Sequence, residues 1–275
     1  MPEQSDRDGL GRGAFTARLA SYTYPLGAAL ALFGAWEAFV RIGAISPLLL
    51  PAPTEVLATV VREFPVLLHM SAITAGEFVL GFALSVLVGL PLGALIVYAR
   101  PIELAIYPLL VAFQTMPKAA IAPIFVVWLG AGMNSKILIA FTIAFFPIVI
   151  DTAIGLRSAA PETIHLVRSM GASAFQVFWY VRFPNALPAI FGGLKVASTL
   201  AVVGAIVGEF VSADKGLGYL VLVANGELNT RLVFACVLVL SVLGIIFYFL
   251  VEAVERLVVS WHVSARQLEL AGETG

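Results

Sequence analysis

Of the chain's 275 residues 60% are hydrophobic and only 12% charged, and the mean hydropathy is +0.99. An ordinary soluble domain carries about 25% charged residues, so water is excluded as the sole solvent. The net charge of −1 excludes a nucleic-acid partner, since no basic surface is available to release counterions from a phosphate backbone.

In chain order, residues 1–23 form a polar tail with Glu3, Asp6, Arg7, Asp8, Arg12 and Arg18. The apolar segment after this tail fits a signal-anchor helix better than a cleaved signal peptide: no small-residue cleavage site appears, and more apolar runs come later in the chain. Six runs approach the ~20 residues needed to cross ~30 Å of hydrocarbon. They are Leu26–Ile42, Ala72–Ala99, Ile102–Leu129, Ile137–Leu156, Leu187–Val207 and Leu232–Val254. The expected fold is an all-α polytopic transmembrane bundle over residues 24–262, with a second tail at 263–275. Placing the N-terminus inside gives nine inside cations (Arg7, Arg12, Arg18, Arg100, Arg157, Arg168, Arg182, Arg256, Arg266) against five outside (Arg41, Arg62, Lys136, Lys215, Arg231). Both termini are then cytoplasmic.

Between the first two spans, Leu50-Pro51-Ala52-Pro53 precedes Thr54–Leu68, where Thr54 is placed to cap an interfacial amphipathic helix. Gln114-Thr115-Met116-Pro117-Lys118 interrupts the third run. Lysine near a bilayer centre costs roughly 2.5–3.5 kcal/mol. Two readings therefore stand: a kinked helix with Lys118 snorkelling to an interface, or Gln114, Thr115, Met116 and Lys118 lining a translocation path. Glu37, Glu77 and Asp151 lie in or near spans, and pairing inside the bundle is favoured over proton relay. Glu209, closing the fifth span outside, fits either an interfacial structural carboxylate or a contact with delivered solute. Gly89-x-x-x-Gly93 and Gly204-x-x-x-Gly208 permit close helix approach, within the chain or at a dimer seam.

The inside loop 157–186 is long for a connection between membrane helices and carries its own helical pattern. Pro161-Glu162-Thr163 opens a helix, Ile164, Val167 and Met170 give it an apolar edge, and Gly171 stops it. A second short helix comes next, with Phe175, Val177, Phe178, Tyr180 and Val181, and Pro184 and Pro188 are expected to end it and start the next span. Such a hairpin either packs under its own bundle or inserts into a groove on a cytoplasmic partner.

The loop resembles the cytoplasmic signature of importer permeases: Glu-Ala-Ala, three residues, Gly, nine residues, Ile-x-Leu-Pro. Here Gly171 is followed by the nine residues Ala172 to Tyr180 and then Val181-Arg182-Phe183-Pro184, while His165-Leu166-Val167 stands in place of Glu-Ala-Ala. Leu50-Pro51-Ala52-Pro53, Ile121-Ala122-Pro123-Ile124, Trp128-Leu129-Gly130, Ser135-Lys136-Ile137 and Phe145-Phe146-Pro147 are similar to sulfonate, taurine and nitrate permeases. Gln114–Lys118, Gly208-Glu209-Phe210 and Asp214–Tyr219 are similar to permeases for pyrimidine vitamin precursors and riboflavin. The resemblance covers about Leu48 to Trp261 and implies a type I permease of an ATP-binding-cassette importer. It further implies a homodimer, a cytoplasmic ATPase pair, and an extracytoplasmic binding protein. The ATPase pair would be coupled through Pro161, Glu162, His165, Leu166, Val167, Gly171, Ala172, Val181, Phe183 and Pro184.

No phosphate-binding Gly-x-x-x-x-Gly-Lys-Ser/Thr loop is present, so ATP hydrolysis is expected from a separate subunit. His69, His165 and His262 lie in different connecting regions, and neither a metal nor a cofactor is expected. Cys236, the lone cysteine, sits in an apolar run. Two other classes stand beside the permease: a secondary transporter coupled through Glu77, Asp151 or Lys118, and an assembly protein that transports nothing.

Overall fold

A computed structural model describes residues 23–24, 27–43, 46, 48–212 and 214–259. Both expected tails, Thr23 apart, lie outside the described residues, and so do Leu26 and the orientation-setting Arg7, Arg12, Arg18 and Arg266. The described residues are helical with no strand among them, and they divide into two compact units.

Among the described residues, the first unit comprises those through Phe64 together with Ala224–Ala235. Its helix α1 covers residues 27–41, in place of the first expected span, and α2 covers Pro53–Arg62. The cap of α2 differs from expectation: Ala52 is the N-cap residue, and Thr54 lies two residues past it, too far in to cap its own helix. Glu37 of α1 serves instead, accepting from the Thr54 N–H at 3.1 Å and from its hydroxyl at 2.8 Å. That carboxylate satisfies an orphan donor at the positive end of α2. Trp36 packs between Phe33 and Phe234, and Arg231 donates to Glu55 at 2.8 Å.

The second unit comprises the described residues of Pro65–Val223 and those from Cys236 onward. In chain order the remaining helices are α3 (Phe64–Tyr98), α4 (Arg100–Thr115), α5 (Lys118–Leu129), α6 (Met133–Arg157), α7 (Pro161–Ser169), α8 (Ala174–Val177), α9 (Phe183–Ser212), α10 (Leu217–Gly226) and α11 (Thr230–Val258). At 35 residues α3 is about 50 Å long, well beyond the hydrocarbon thickness, so it absorbs residues 64–68 expected in the interfacial helix. Four helical runs are long and apolar enough to cross a membrane singly: α3, α6, Ala174–Ser212 and α11. The third expected span is a bent pair, α4 and α5, meeting at 100°. Pro117 drives the break, because a residue before proline is pushed out of the helical region, and Met116 sits at φ −67, ψ 139.

The core is a three-helix seam of small residues. Added Cβ atoms on Gly81, Gly89 and Gly93 of α3 would strike Ala140, Ile148 and Thr152 of α6. Gly204 of α9 faces the Ala140 backbone, Gly208 faces Lys136, and Gly155 of α6 faces Ala186. Both glycine pairs of the sequence therefore serve packing within one chain. Without a hydrophobic drive between lipid-bathed helices, such close approach is what holds them together. Large apolar side chains fill the flanks, with Phe78 and Phe82 about Phe247 at 5.0 and 5.1 Å.

Candidate functional site

The loop between α6 and α9 is built from capping devices. Pro161 opens α7, with Glu162 in the first turn and Arg168 in the last. At the far end the Ala172 N–H reaches the Val167 carbonyl at 3.2 Å and the Gly171 N–H reaches Arg168 at 2.9 Å, the paired bonds of a Schellman stop. Gly171 sits at φ +86 with open space around it, so backbone conformation and not crowding favours glycine there. Ser173 and Gln176 then form a reciprocal capping box that starts α8. Sequence reasoning missed this box, although the Ser-x-x-Gln spacing at positions 173–176 is its signal.

Pro184 and Pro188 do not end the second short helix, as the sequence led us to expect. The backbone runs on from Ala174 to Ser212, passing through a π-helical turn at Phe178–Arg182. The Phe183 N–H bonds Phe178, five residues back, and this wider turn leads into Pro184, which lacks an N–H of its own. Asn185 donates to Ser158 at 2.8 Å and Arg182 to the Leu156 carbonyl at 3.5 Å, tying the returning helix to the end of α6.

The apolar face of the loop also differs from the expected edge. Ile164 and Val167 are half-buried, whereas Leu166 and Met170 are exposed at 61% and 78%. Phe175 and Tyr180 add exposed rings at 71% and 78%. Of the other loop residues picked from sequence, Pro161, Glu162 and His165 are exposed, and Ala172, Val181, Phe183 and Pro184 are half-buried.

The path candidates gather at the α4–α5 bend. Gln114, Thr115 and Met116 are exposed, and Lys118 is partly covered, its ammonium 4.8 Å from the centre of the Phe146 ring and 3.4 Å from the Gln114 carbonyl. Thr115 returns its hydroxyl to the Ala112 carbonyl at 2.8 Å. Asp151 of α6 is half-buried against Gly193 of α9, with no ion pair among the described residues.

Glu209 stands apart from that group, wholly buried among α3, α6 and α10. Thr74 donates its hydroxyl to it at 2.6 Å, the Gly218 N–H donates through a short contact, and Tyr219 N–H donates at 3.2 Å. The Leu217 N–H closes the arrangement on the Thr74 oxygen at 2.9 Å. Three orphan donors at the start of α10 are thus satisfied by two side chains, a carboxylate at the positive helix end among them. Beside it, Lys136 and Glu77 pair at 3.4 Å, exposed by only 2% and 1%. Counting Lys136 among the outside loop cations was therefore wrong: it belongs to the first turn of α6 and faces protein. The apolar run after it marked the helix, but a partner 59 positions earlier leaves no local trace.

The described residues thus form a bundle of apolar spans in which α6 and α9 pack extensively and are joined by a short helical loop with an exposed apolar face. The family model described as "Binding-protein-dependent transport system inner membrane component" matches residues 65–260, and the chain belongs to this family of importer permease subunits. It is 37% identical to the formylaminopyrimidine transport permease protein ThiX of Halalkalibacterium halodurans, over 84% of this chain and 93% of that protein. With the riboflavin transport system permease protein RibX of Chloroflexus aurantiacus it shares 41% over 61% of this chain and 62% of that one. With the taurine transport system permease protein TauC of Escherichia coli it shares 28% over 87% and 90%. A solved structure of the MetNI methionine ABC transporter in inward-facing form superposes with a TM-score of 0.63 at 21% identity, covering 72% of this chain and 98% of that chain. The protein is an inner-membrane permease of the ATP-binding-cassette importer class.

Proposed function

We propose that residues 157–186 are the handle through which a separate cytoplasmic ATPase pair drives this permease, and that the solute is a nitrogen-containing heteroaromatic vitamin precursor. The observation that carries the first part is the exposed apolar set Leu166, Met170, Phe175 and Tyr180, held on α7, its C-terminal stop and the first turns of the Ala174–Ser212 run. Four apolar side chains presented to water on a rigid support fit insertion into a protein groove. The permease hydrolyses no ATP itself and works as a homodimer, with solute handed over by an extracytoplasmic binding protein and both termini in the cytoplasm. The solute class leans on the higher identity to the formylaminopyrimidine and riboflavin permeases than to the taurine permease. Gln114, Thr115, Met116 and Lys118, grouped at the broken span, supply the polar stretch of the path.

Proteoliposomes holding the permease, its ATPase and its binding protein test this. Uptake of labelled formylaminopyrimidine should require internal ATP, exceed that of taurine, and survive collapse of ion gradients. Preference for taurine overturns the solute class; loss of uptake with the gradients overturns ATP coupling. Ion coupling would have to fall on Asp151 or Lys118, because Glu77 is engaged by Lys136.

A further inference from the structure

α7 has two faces. Leu166 and Met170 point to water, while Pro161, Ile164, His165 and Arg168 line a cavity of about 330 Å³ together with Arg157 and Arg182. Three arginines and a histidine therefore line one cavity. Glu103 takes Arg157 at 2.9 Å, but Arg168 and Arg182 have no carboxylate partner among the described residues. Two arginines lining one cavity without a carboxylate partner suit an anion.

A second hollow adjoins it. A groove of about 530 Å³, almost wholly apolar, runs between Pro91, Leu95 and Tyr98 of α3 and Phe175, Phe178 and Trp179 in the second half of the loop. Tyr98 meets Phe178 edge to face at 5.3 Å. The same Tyr98 ring lies 5.9 Å from the Arg182 guanidinium, so one contact joins the groove to the cation cluster. Tyr98, Trp179 and Tyr180 are amphipathic aromatics of the kind that settle at headgroup level.

We infer that the adjoining apolar groove and arginine cavity form a binding site for one anionic phospholipid, its acyl chain against Leu95, Tyr98 and Phe178 and its phosphate between Arg168 and Arg182. Neither half alone selects this ligand: a free anion has no use for the groove, and a neutral lipid has none for the arginines. With loop 157–186 on the cytoplasmic side, which rests on the proposed topology, the site faces the leaflet where anionic headgroups are enriched.

The test is native mass spectrometry of permease extracted from bilayers of phosphatidylcholine mixed with phosphatidylglycerol. Phosphatidylglycerol should remain bound in preference to phosphatidylcholine. Each basic group contributes about fivefold at an anionic surface, so Arg168→Gln with Arg182→Gln should weaken retention roughly 25-fold. Arg168→Lys with Arg182→Lys should restore the preference, and Ala174→Trp, filling the groove, should reduce retention with the arginines intact. Equal retention of both lipids, indifference to the glutamine pair, or loss with the lysine pair overturns the assignment. Displacement by inorganic phosphate alone would make it a free-anion site, and loss of lipid when the ATPase is added would make it a protein interface. Either result also overturns it.

Discussion

Lys136 is a long cation with almost no water around it, tolerated because Glu77 lies 3.4 Å away. Removing one member of a buried pair strands the other, at a cost of about 3–5 kcal/mol. Lys136→Met should therefore lower the melting temperature of the detergent-solubilised protein sharply. Lys136→Met with Glu77→Leu should recover most of the loss, and failure of the double variant to recover would mean that Lys136 matters for something other than its charge partner. Gly171 offers a contrasting case, because nothing crowds it and only its φ of +86 is special. A left-handed β-branched residue costs about 1–2 kcal/mol, whereas asparagine visits this region readily. Gly171→Val should lose ATPase co-purification and uptake, while Gly171→Asn keeps both. Equal behaviour of the two variants would remove the backbone argument.

Among the elements, apolar runs fell within helices because their composition carries the signal, and the break at Pro117 was legible for the same reason. What could not be read was anything settled by neighbours. Thr54 looked like a cap by position, yet Glu37 from another helix took the role. Lys136 looked like a loop cation because its partner lies on α3. The site showed the same division. Gly171 and its nine-residue spacing to the Val181-x-Phe183-Pro184 close were plain in the sequence, but the side of α7 that faces water was not. Periodicity names a stripe; only packing tells which stripe is covered. Ile164 and Val167 went inward, leaving Leu166 and Met170 outside.

For the whole molecule, force applied to the loop must travel through α6 and α9, the helices it joins. Their seam is closed by Gly155, Gly204 and Gly208 against the backbone of Ala186 and Ala140 and the base of the Lys136 side chain, leaving no slack. The pair is suited to move as one body. A bulky residue here should cost more than stability. Gly204→Leu, forced against the Ala140 backbone, should lower the uptake obtained per ATP hydrolysed even in protein that still folds and binds its ATPase. Measured side by side in proteoliposomes, an unchanged ratio would show that the seam plays no part in transmission.

The π turn at Phe178–Arg182 gives the chain one more residue per loop of helix than an α-helix would hold. Deleting a residue there would let the backbone revert to ordinary winding, and everything ahead of it would swing by about 100° around the axis. Phe175 would then leave the groove beside Leu95, and α7 would be re-aimed with every side chain chemically unchanged. Such a deletion should yield a protein that inserts and melts normally yet fails to capture its ATPase in a pull-down. The angular phase of the handle, then, is set by a single surplus residue.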